Sequence, residues 1–375
     1  MTQPMMAVPA GAPRPWARGL TVLAGLVAAL AVAAMAGPRY GALLLIGFGL
    51  GIALEGLRFG FTGPWRRMIL FRDPSGLVAQ MVCIAIVALV AFPLLTANGA
   101  ELTGAHAPIG FAMVGGAFVF GACMQIVLGC GSGTLVNAGS GNLVSAVALP
   151  FFAIGSFAGA YHLSWWTDLG TLPVAVLSGT SGLAVTLAGL AAVAVVAMIL
   201  AAPGKRTVPG RLWLAALVIA GLAVLHIVVA GQPWGVVYGL GLWVAKGATT
   251  LGADLSGSAF WAAPGNVERL EQSLLTDVTS LTDLGLIAGA ALAAWWRDGL
   301  SAPAKGLSIR GWAAIVMAGL LLGYSSRLAF GCNVGAFFSG VSTGSLHGWA
   351  WFAAAFAGSF VGIRLRPVLG LEDRR

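Results

Sequence analysis

Long apolar runs separated by short polar stretches dominate the chain. A helix needs roughly 20 apolar residues in succession to cross the hydrocarbon core of a membrane. Segments that approach this length are predicted near residues 19–36, 41–57, 76–96, 109–128, 142–161, 181–202, 212–231, 234–252, 278–296, 311–330 and 346–363. Two further apolar pieces, directly after Cys130 and Cys332, are too short to cross. The pattern predicts an all-α integral membrane protein with about 9–11 transmembrane helices and short re-entrant helices.

Composition excludes a soluble domain. Of 375 residues, 59% are hydrophobic and only 9% are charged, whereas a soluble domain carries roughly 25% charged residues. The chain also has 55 glycines, and small residues let helices approach closely in lipid. Gly155-Ser-Phe-Ala-Gly159 and Gly358-Ser-Phe-Val-Gly362 are predicted helix-packing seams of the GxxxG type. We therefore expect a tightly packed bundle of helices in a bilayer.

The basic residues lie at the ends of the apolar segments. The net charge is +8, but the positive residues form no single patch, so no nucleic-acid partner is expected. A bias of positive residues towards the cytoplasmic side explains them. Arg14 and Arg18, followed by an apolar run ending in Ala34-Met-Ala36, imitate a cleavable signal peptide. We favour an uncleaved first helix because another apolar segment begins at Tyr40.

Two halves of the chain match each other. Gly121-Ala-Cys-Met-Gln-Ile-Val-Leu-Gly-Cys130-Gly-Ser-Gly133 aligns with Gly323-Tyr-Ser-Ser-Arg-Leu-Ala-Phe-Gly-Cys332-Asn-Val-Gly335 at an offset of 202 residues. The two GxxxG seams align after one inserted residue, and Gly47-Phe-Gly-Leu-Gly-Ile-Ala53 resembles Gly239-Leu-Gly-Leu-Trp-Val-Ala245. We interpret residues 1–375 as one membrane domain, with a first repeat at 40–165, connecting helices at 166–231 and a second repeat at 232–366.

Charge placement predicts how the repeats are oriented. Ten full crossings put the arginine-rich loops on the cytoplasmic side if segment 234–252 is broken or re-entrant. These loops carry Arg14, Arg18, Arg66, Arg67, Arg72, Lys205, Arg206, Arg211, Arg297, Lys305, Arg310, Arg364, Arg366, Arg374 and Arg375. The Cys130 turn then faces the cytoplasm and the Cys332 turn faces outside. Such repeats are inverted and related by pseudo-twofold symmetry, as in many secondary transporters whose site lies near the midplane.

Each half carries the same candidate chemistry, a helix followed by Gly-Cys and a turn of small residues. A short helix that begins after each cysteine points its N-terminal amides at a cavity, which suits an anion. The cysteine adds a polarisable sulfur and a weak S–H donor. The predicted site residues here are Cys130, Gly131, Ser132, Cys332 and Asn333. Small packing residues are the alternative explanation, which two cysteines at matching positions disfavour.

Further candidates lie near these turns. Cys123 precedes Cys130 by seven residues, so the two thiols are predicted on one helix face. Arg327 lies in the last turn before Cys332, where its repeat equivalent is Gln125, and either counters an anion or snorkels at a helix end.

The sequence leaves the roles of three acids and one lysine open. Glu55 and Lys246 end corresponding segments and form a candidate ion pair, whereas Asp277 and Asp283 either form a proton or sodium site or lie at the membrane edge. The four cysteines form neither a CxxC pair nor a cluster with histidine, so no metal site or cofactor is expected.

At these residues the chain resembles the YeeE/YedE family of membrane sulfur (thiosulfate) transport proteins. The resemblance rests on the stretch from Gly129 to Asn142, on Phe330-Gly-Cys-Asn-Val-Gly-Ala-Phe-Phe-Ser-Gly340 with Thr343-Gly-Ser-Leu-His-Gly-Trp349, and on Arg58-Phe-Gly-Phe-Thr-Gly63 with Leu70-Phe-Arg-Asp73. It covers residues 40 to 366. The resemblance implies uptake of thiosulfate or a related sulfur species, contact of Cys130 and Cys332 with the ion, and work with a small soluble sulfur carrier of the TusA type. Many relatives have a cysteine in the stretch matching Arg58-Phe-Gly-Phe61, and this chain has none.

We therefore expect a multi-pass inner-membrane transporter, not an enzyme, that imports a small sulfur-containing anion, which the resemblance implies is thiosulfate. Cys130 and Cys332 would act as soft gates on opposite sides. No P-loop sequence of an ATP-driven pump is present. The rival interpretations are a membrane-embedded thiol or sulfur-transfer enzyme with a cysteine nucleophile, and a scaffold for a soluble sulfur carrier.

Overall fold

The computed structural model describes residues 15–297 and 306–372. Arg14, Lys305, Arg374 and Arg375 lie outside these residues. The helices are α1 (Pro15–Ala36), α2 (Pro38–Gly56), α3 (Thr62–Phe71), α4 (Ser75–Ala97), α5 (Phe111–Val127), α6 (Gly131–Gly139), α7 (Leu143–Tyr161), α8 (Leu163–Thr167), α9 (Gly179–Ile199), α10 (Gly210–Ala230), α11 (Val237–Thr250), α12 (Pro264–Glu271), α13 (Val278–Arg297), α14 (Ile309–Leu328), α15 (Ser339–Ser342) and α16 (Leu346–Val368). A π-helical segment, Asn333–Phe338, precedes α15, and a 3₁₀ turn covers Leu274–Thr276.

Ten helices of the described chain are long and apolar enough to cross a membrane, which confirms the predicted all-α membrane protein. They are α1, α2, α4, α5 with α6, α7, α9, α10, α13, α14 with the segment after it, and α16. No β-strand occurs in residues 15–297 and 306–372. Helix α11, in the segment expected to be broken, has only 14 residues. It is therefore too short for a full crossing.

The bundle is bordered by helices whose apolar side chains point outward. Leu20, Leu23 and Leu30 of α1 and Val185 and Val195 of α9 are all more than half exposed. Exposed apolar side chains in such number are costly in water but suit the acyl chains of a bilayer. Helices α1 and α9 thus form part of the lipid-facing surface.

One end of the bundle gathers the predicted cytoplasmic arginines. Glu55, at the end of α2, forms ion pairs with Arg58 (3.2 Å) and Arg297 (2.6 Å). Arg18, near the start of α1, donates to the carbonyl oxygen of Trp296 at 3.0 Å. The start of α1, the end of α2 and the end of α13 therefore lie together.

The end of α16 joins the same surface. Glu372 pairs with Arg66 (2.6 Å) and Arg366 (2.8 Å). Burial alone would raise the pKa of the Glu372 carboxyl, but hydrogen bonds and positive charge from Arg366 and Arg66 hold it below its ordinary value. By the positive-inside rule we infer that this end faces the cytoplasm. It is called the inner end below, and the opposite end is called the outer end.

Glycine seams hold the central helices together. Helix α5 packs against α16, and α7 packs against α14. A methyl group on Gly155 or Gly159 would overlap backbone of α14, and one on Gly358 or Gly362 would overlap backbone of α5. Both predicted GxxxG seams therefore lie at helix contacts, where close approach replaces the hydrophobic effect as the source of packing energy.

The two Gly-Cys turns share the backbone conformation of the residues on either side of the glycine. Leu128 and Phe330, which are 202 residues apart, both adopt left-handed geometry, with φ of 59° and 56°. Cys130 (φ −82°, ψ −164°) and Cys332 (φ −96°, ψ −169°) are both extended. Non-glycine residues rarely have positive φ, so the shared break supports a structural repeat. The inverted relation between the repeats stays a prediction.

The glycine seams generate a stability prediction. Gly358→Ala should lower the stability of the purified protein by about 1–3 kcal/mol, because the new methyl group overpacks the contact with α5. Thermal unfolding in detergent, followed by tryptophan fluorescence, measures this. Gly221→Ala in α10 is the matched control, because a methyl group there meets no atom within 4 Å. Equal melting temperatures for the two variants would show that the seam does not limit stability.

Candidate substrate pathway

Cys130 is the N-cap of α6. Its sulfur accepts a hydrogen bond from the Gly133 amide at 3.4 Å and lies 3.5 Å from the Ser132 hydroxyl oxygen. The Thr134 hydroxyl donates to the Cys130 carbonyl oxygen at 2.7 Å. The chain can leave helical geometry within the membrane here because these contacts satisfy the exposed backbone groups. The predicted helix after Cys130 is confirmed.

Cys332 lies at the equivalent turn of the second half. It is fully buried, and the amides of Val334, Gly335 and Ser132 lie close to its sulfur. The segment after it is π-helical rather than the expected α-helix, and wider turns of this kind are frequent at functional sites. The first turns of two short helical segments thus approach one thiol.

The two turns meet inside the bundle. A methyl group on Gly131 would lie 2.7 Å from the Cys332 sulfur. Cys130 and Cys332 therefore lie in turns that pack against each other inside the bundle, rather than at two distant surfaces. Each of the two turns nevertheless borders a different cavity.

An inner cavity of about 240 Å³ reaches the Cys130 turn from the inner end. Its wall combines the α2–α3 connection with the start of α6. The lining residues are Leu54, Glu55, Arg58, Phe59, Gly60, Phe61, Thr62, Gly63, Pro64, Leu128, Gly129, Ser132, Gly133, Val136 and Asn137. The stretch in which the family resemblance leads us to expect a cysteine thus lines this cavity. Thr62, directly after that stretch, also lines the cavity, and its buried hydroxyl lies near the Cys130 thiol.

An outer cavity of about 250 Å³ reaches Cys332 itself from the outer end. The lining residues are Gln232, Gly235, Val236, Val237, Tyr238, Arg269, Thr279, Arg327, Phe330, Gly331, Cys332 and Gly335. Phe330, Gly331 and Gly335 are the repeat equivalents of Leu128, Gly129 and Gly133 in the inner cavity. The two cavities are thus built from corresponding parts of the two halves.

Arg327 is held in place by aromatic rings. Its guanidinium lies 4.6 Å from the ring centroid of Phe260 and 5.7 Å from that of Tyr238. Its Nε is buried without a hydrogen-bond partner, and no carboxylate of the described chain forms an ion pair with it. The guanidinium of Arg269 lies 5.0 Å from the centroid of the same Tyr238 ring. Cation–π contacts hold a guanidinium in place without neutralising it.

The two cavities therefore differ in electrostatic character. The outer cavity has Arg327 and Arg269 in its wall and no lining acid among the residues described. In the inner cavity, the charged lining residues Glu55 and Arg58 pair with each other at 3.2 Å. The charges of the lining residues alone therefore favour an anion in the outer cavity over the inner one.

Asn333 and Gln125 are both fully buried beside the turns. Neither the amide nitrogen nor the oxygen of Asn333 has a hydrogen-bond partner. Gln125 donates to the Thr62 carbonyl oxygen at 3.3 Å, and its own side-chain oxygen is unpartnered. Unsatisfied buried amides cost about 1–3 kcal/mol each, so Asn333 is an available donor and acceptor next to Cys332.

Two sequence-based expectations are wrong. Helix α5 ends at Val127, and Leu128 turns the chain left-handed, so Cys123 and Cys130 share no helix face. Cys123 is buried and lines neither cavity. Glu55 and Lys246 do not pair either: Glu55 binds Arg58 and Arg297 at the inner end. The Lys246 ammonium donates instead to the Leu270 carbonyl oxygen at 2.7 Å.

Sequence reasoning missed Arg269, Tyr238 and Phe260. These residues come from α11 and the segment that follows it, which hydropathy treats as one more span and its loop. A usable signal was present in Pro264-Gly-Asn-Val-Glu-Arg-Leu-Glu271, a polar stretch that forms helix α12. A second arginine near Arg327 could have been sought there.

A membrane bundle with two opposed cavities, separated where a pair of broken helices meets, has the architecture of a transport protein. The chain belongs to the sulphur transport family, whose model matches residues 57–361. This finding confirms the family expected from the sequence.

Individual relatives agree with the family assignment. The chain is 28% identical over 335 residues to the thiosulfate transporter TsuA of Spirochaeta thermophila, and the alignment covers 82% of this chain and 92% of TsuA. It is 38% identical over 95 residues to the probable transporter YedE of Escherichia coli, and 36% identical to that of Salmonella typhimurium. These two alignments cover 25% of this chain and 23% of each YedE protein.

The cavities predict which thiols a reagent reaches. In variants that retain one cysteine each, Cys332 should react faster than Cys123 with a small impermeant methanethiosulfonate added at the outer end. The reason is that Cys332 lines the outer cavity and Cys123 does not. Mass spectrometry of reconstituted protein measures the modification. Cys83, buried in α4, is a further unreactive control, and equal rates at Cys123 and Cys332 would contradict the assigned cavity.

Proposed function

We propose that this protein imports a small sulfur-containing anion, thiosulfate in the first instance, across the inner membrane. The observation that carries the proposal is the outer cavity, in which unpaired arginine charge lies above the Cys332 thiol. Membership of the sulphur transport family and the similarity to a thiosulfate transporter support the choice of substrate. They also favour transport over the enzyme and scaffold interpretations.

The outer cavity would capture the anion. Arg327 and Arg269 supply positive charge, and the amides of Val334 and Gly335 supply donors at the start of the segment after Cys332. A charged donor in a partly desolvated cavity binds an oxyanion more strongly than a neutral one. Because no acid of the described chain pairs with Arg327, the anion would not have to displace an internal ion pair.

The two thiols would pass the anion inward. Cys332 contacts the Gly131 position, and Cys130 lies one residue beyond, in the turn that borders the inner cavity. A thiol is a weak donor and a polarisable contact, so it stabilises a sulfur anion without trapping it. Asn333, with both polar atoms free, would replace part of the lost hydration.

The cavities would have to open alternately. The close contact between Gly131 and Cys332 leaves the two cavities separate in this structure. Inverted repeats provide two equivalent arrangements of the same parts, so that closing one cavity opens the other. A TusA-like carrier would meet the released anion at the inner end, where the arginine-rich surface lies.

Uptake of radiolabelled thiosulfate into liposomes that hold the purified protein tests the proposal. We expect uptake by the natural protein and its loss in Cys130→Ala and Cys332→Ala, because each variant removes a thiol from the route. Cys83→Ala is the matched control, since that cysteine lies in α4 away from both cavities. Absence of uptake by the folded natural protein refutes the proposed function, and full uptake by both thiol variants refutes the thiol route.

The outer arginine makes a separate prediction about affinity. Arg327→Gln should raise the KM for thiosulfate about tenfold or more, since a hydrogen bond to a charged group contributes roughly 1.5–3 kcal/mol. Initial uptake rates at a series of thiosulfate concentrations measure the change. Arg310→Gln, at an exposed position at the start of α14, should leave KM unchanged. The same KM for Arg327→Gln and the natural protein would exclude Arg327 from capture.

A further inference from the structure

We infer that Asp283 of α13 is a proton-binding site that couples anion import to the proton gradient. The inference rests on the proposed function for its substrate. The proton itself is assigned from the burial, the missing partners and the position of this one carboxyl group.

Asp283 is fully buried inside a membrane-spanning helix. Neither carboxyl oxygen has a hydrogen-bond partner, and no basic side chain of the described residues forms an ion pair with it. A carboxylate in such surroundings is very costly unless it is neutralised. A bound proton neutralises the carboxylate and needs less space than any other cation. The carboxyl group faces α11, where a methyl group on Gly239 would lie 2.8 Å from its Oδ2 atom.

A buried residue at the same step of a helix in the other half offers a comparison. Asp283 is the sixth residue of α13, and Gln80 is the sixth residue of α4. Gln80 is equally buried, but its amide donates to the Gly60 carbonyl oxygen at 2.7 Å and accepts from the Trp65 indole at 3.0 Å. The neutral amide is fully satisfied by its surroundings, whereas the ionisable carboxyl has no protein partner. Packing therefore explains Gln80 and leaves Asp283 unexplained.

The carboxyl lies next to the proposed anion route. Thr279, one helical turn nearer the outer end on the same face of α13, lines the outer cavity with Val237 of α11. A separate opening at the outer end is lined by Asp277, which caps α13 through the Ser280 amide at 2.7 Å. A proton from the outer solution thus has an acid at the entrance and a second acid about two turns deeper.

The neighbouring titratable groups are occupied. His226 of α10 binds the Thr282 hydroxyl at 3.1 Å and the Gln232 carbonyl at 3.2 Å. On α11, Tyr238 donates to Asn266, and Lys246 donates to the Leu270 and Gln272 carbonyls.

The charged groups on the other helices beside α13 lie at its two ends. At the outer end, Arg269 and Glu268 line the opening that contains Asp277, together with Tyr40 of α2. At the inner end, Glu55 of α2 pairs with Arg297, and Arg18 of α1 binds the Trp296 carbonyl. Helix α6 has no titratable side chain. Asp283 is thus the unpartnered acid among the groups facing the middle of α13.

The charge of the substrate gives the proton a function. A membrane potential that is negative inside opposes the entry of an anion. A proton carried on Asp283 would offset part of that charge and draw on the pH gradient. For one proton per anion, each pH unit of gradient raises the equilibrium accumulation ratio by up to about tenfold.

The experiment measures thiosulfate uptake into proteoliposomes with and without an acidic outer solution, with a pH indicator inside the vesicles. We expect the natural protein to accumulate more thiosulfate under the gradient and to acidify the lumen only when thiosulfate is added. For Asp283→Asn, the ratio of uptake with and without the gradient should fall to about one. Asp254→Asn, in an exposed loop at the outer end, should keep the natural ratio.

The outcomes separate this inference from the proposed function. No uptake by the natural protein at any pH refutes both. Uptake that is indifferent to the gradient and moves no proton, or that follows sodium instead, overturns the inference alone. Loss of the gradient response in His226→Gln with its retention in Asp283→Asn also overturns it. If Asp283→Asn fails to fold, lumen acidification by the natural protein decides, because import without it contradicts proton coupling.

Discussion

The need to satisfy backbone polar groups within the bilayer shapes the centre of this protein. Two helices break there, at Leu128–Cys130 and at Phe330–Cys332, and each break exposes amides that lipid cannot bind. The chain meets this need by burying both breaks against each other and by capping α6 with the Cys130 sulfur. Close contacts of α5 with α16 and of α7 with α14 surround the breaks with protein. These packed helices hold both breaks in place, and each of the two cavities lies beside one of the breaks.

Unequal charges distinguish the two cavities that this arrangement creates. The rings of Phe260 and Tyr238 fix the position of the Arg327 guanidinium but do not neutralise its charge. Glu55, in contrast, is occupied by two arginines at the inner end. The lining of the outer cavity therefore carries arginine charge without an ionic partner in the described chain, whereas the charged residues that line the inner cavity pair with each other.

The helices, the correspondence between the two Gly-Cys turns and the glycine seams could be predicted, because hydropathy and close packing depend on local sequence. The path of the chain around the two Gly-Cys turns could not be predicted in this way. Leucine and phenylalanine rarely adopt positive φ, so the left-handed geometry of Leu128 and Phe330 could not be read from their identity. At Leu128 this geometry ends α5 before Cys130, and Cys123 is therefore separated from the site. Tertiary contacts likewise decide that Glu55 meets Arg297 rather than Lys246. Arg269 was missed because its helix, α12, lies between the apolar segments.

Comparison of equivalent positions shows where the two halves have diverged. The second half has Arg327 where the first has Gln125, and Asp283 is the sixth residue of α13, as Gln80 is of α4. Neutral amides suffice in the half that lines the inner cavity, and Gln80 there is fully hydrogen bonded. The half that lines the outer cavity keeps one cation and one acid, neither with an ionic partner in the described chain. Buried ionisable groups are retained in membranes mainly where they act. A duplicated scaffold therefore supplies the two cavities, and one copy alone supplies the buried cation and the buried acid on which the proposed anion and proton binding depends.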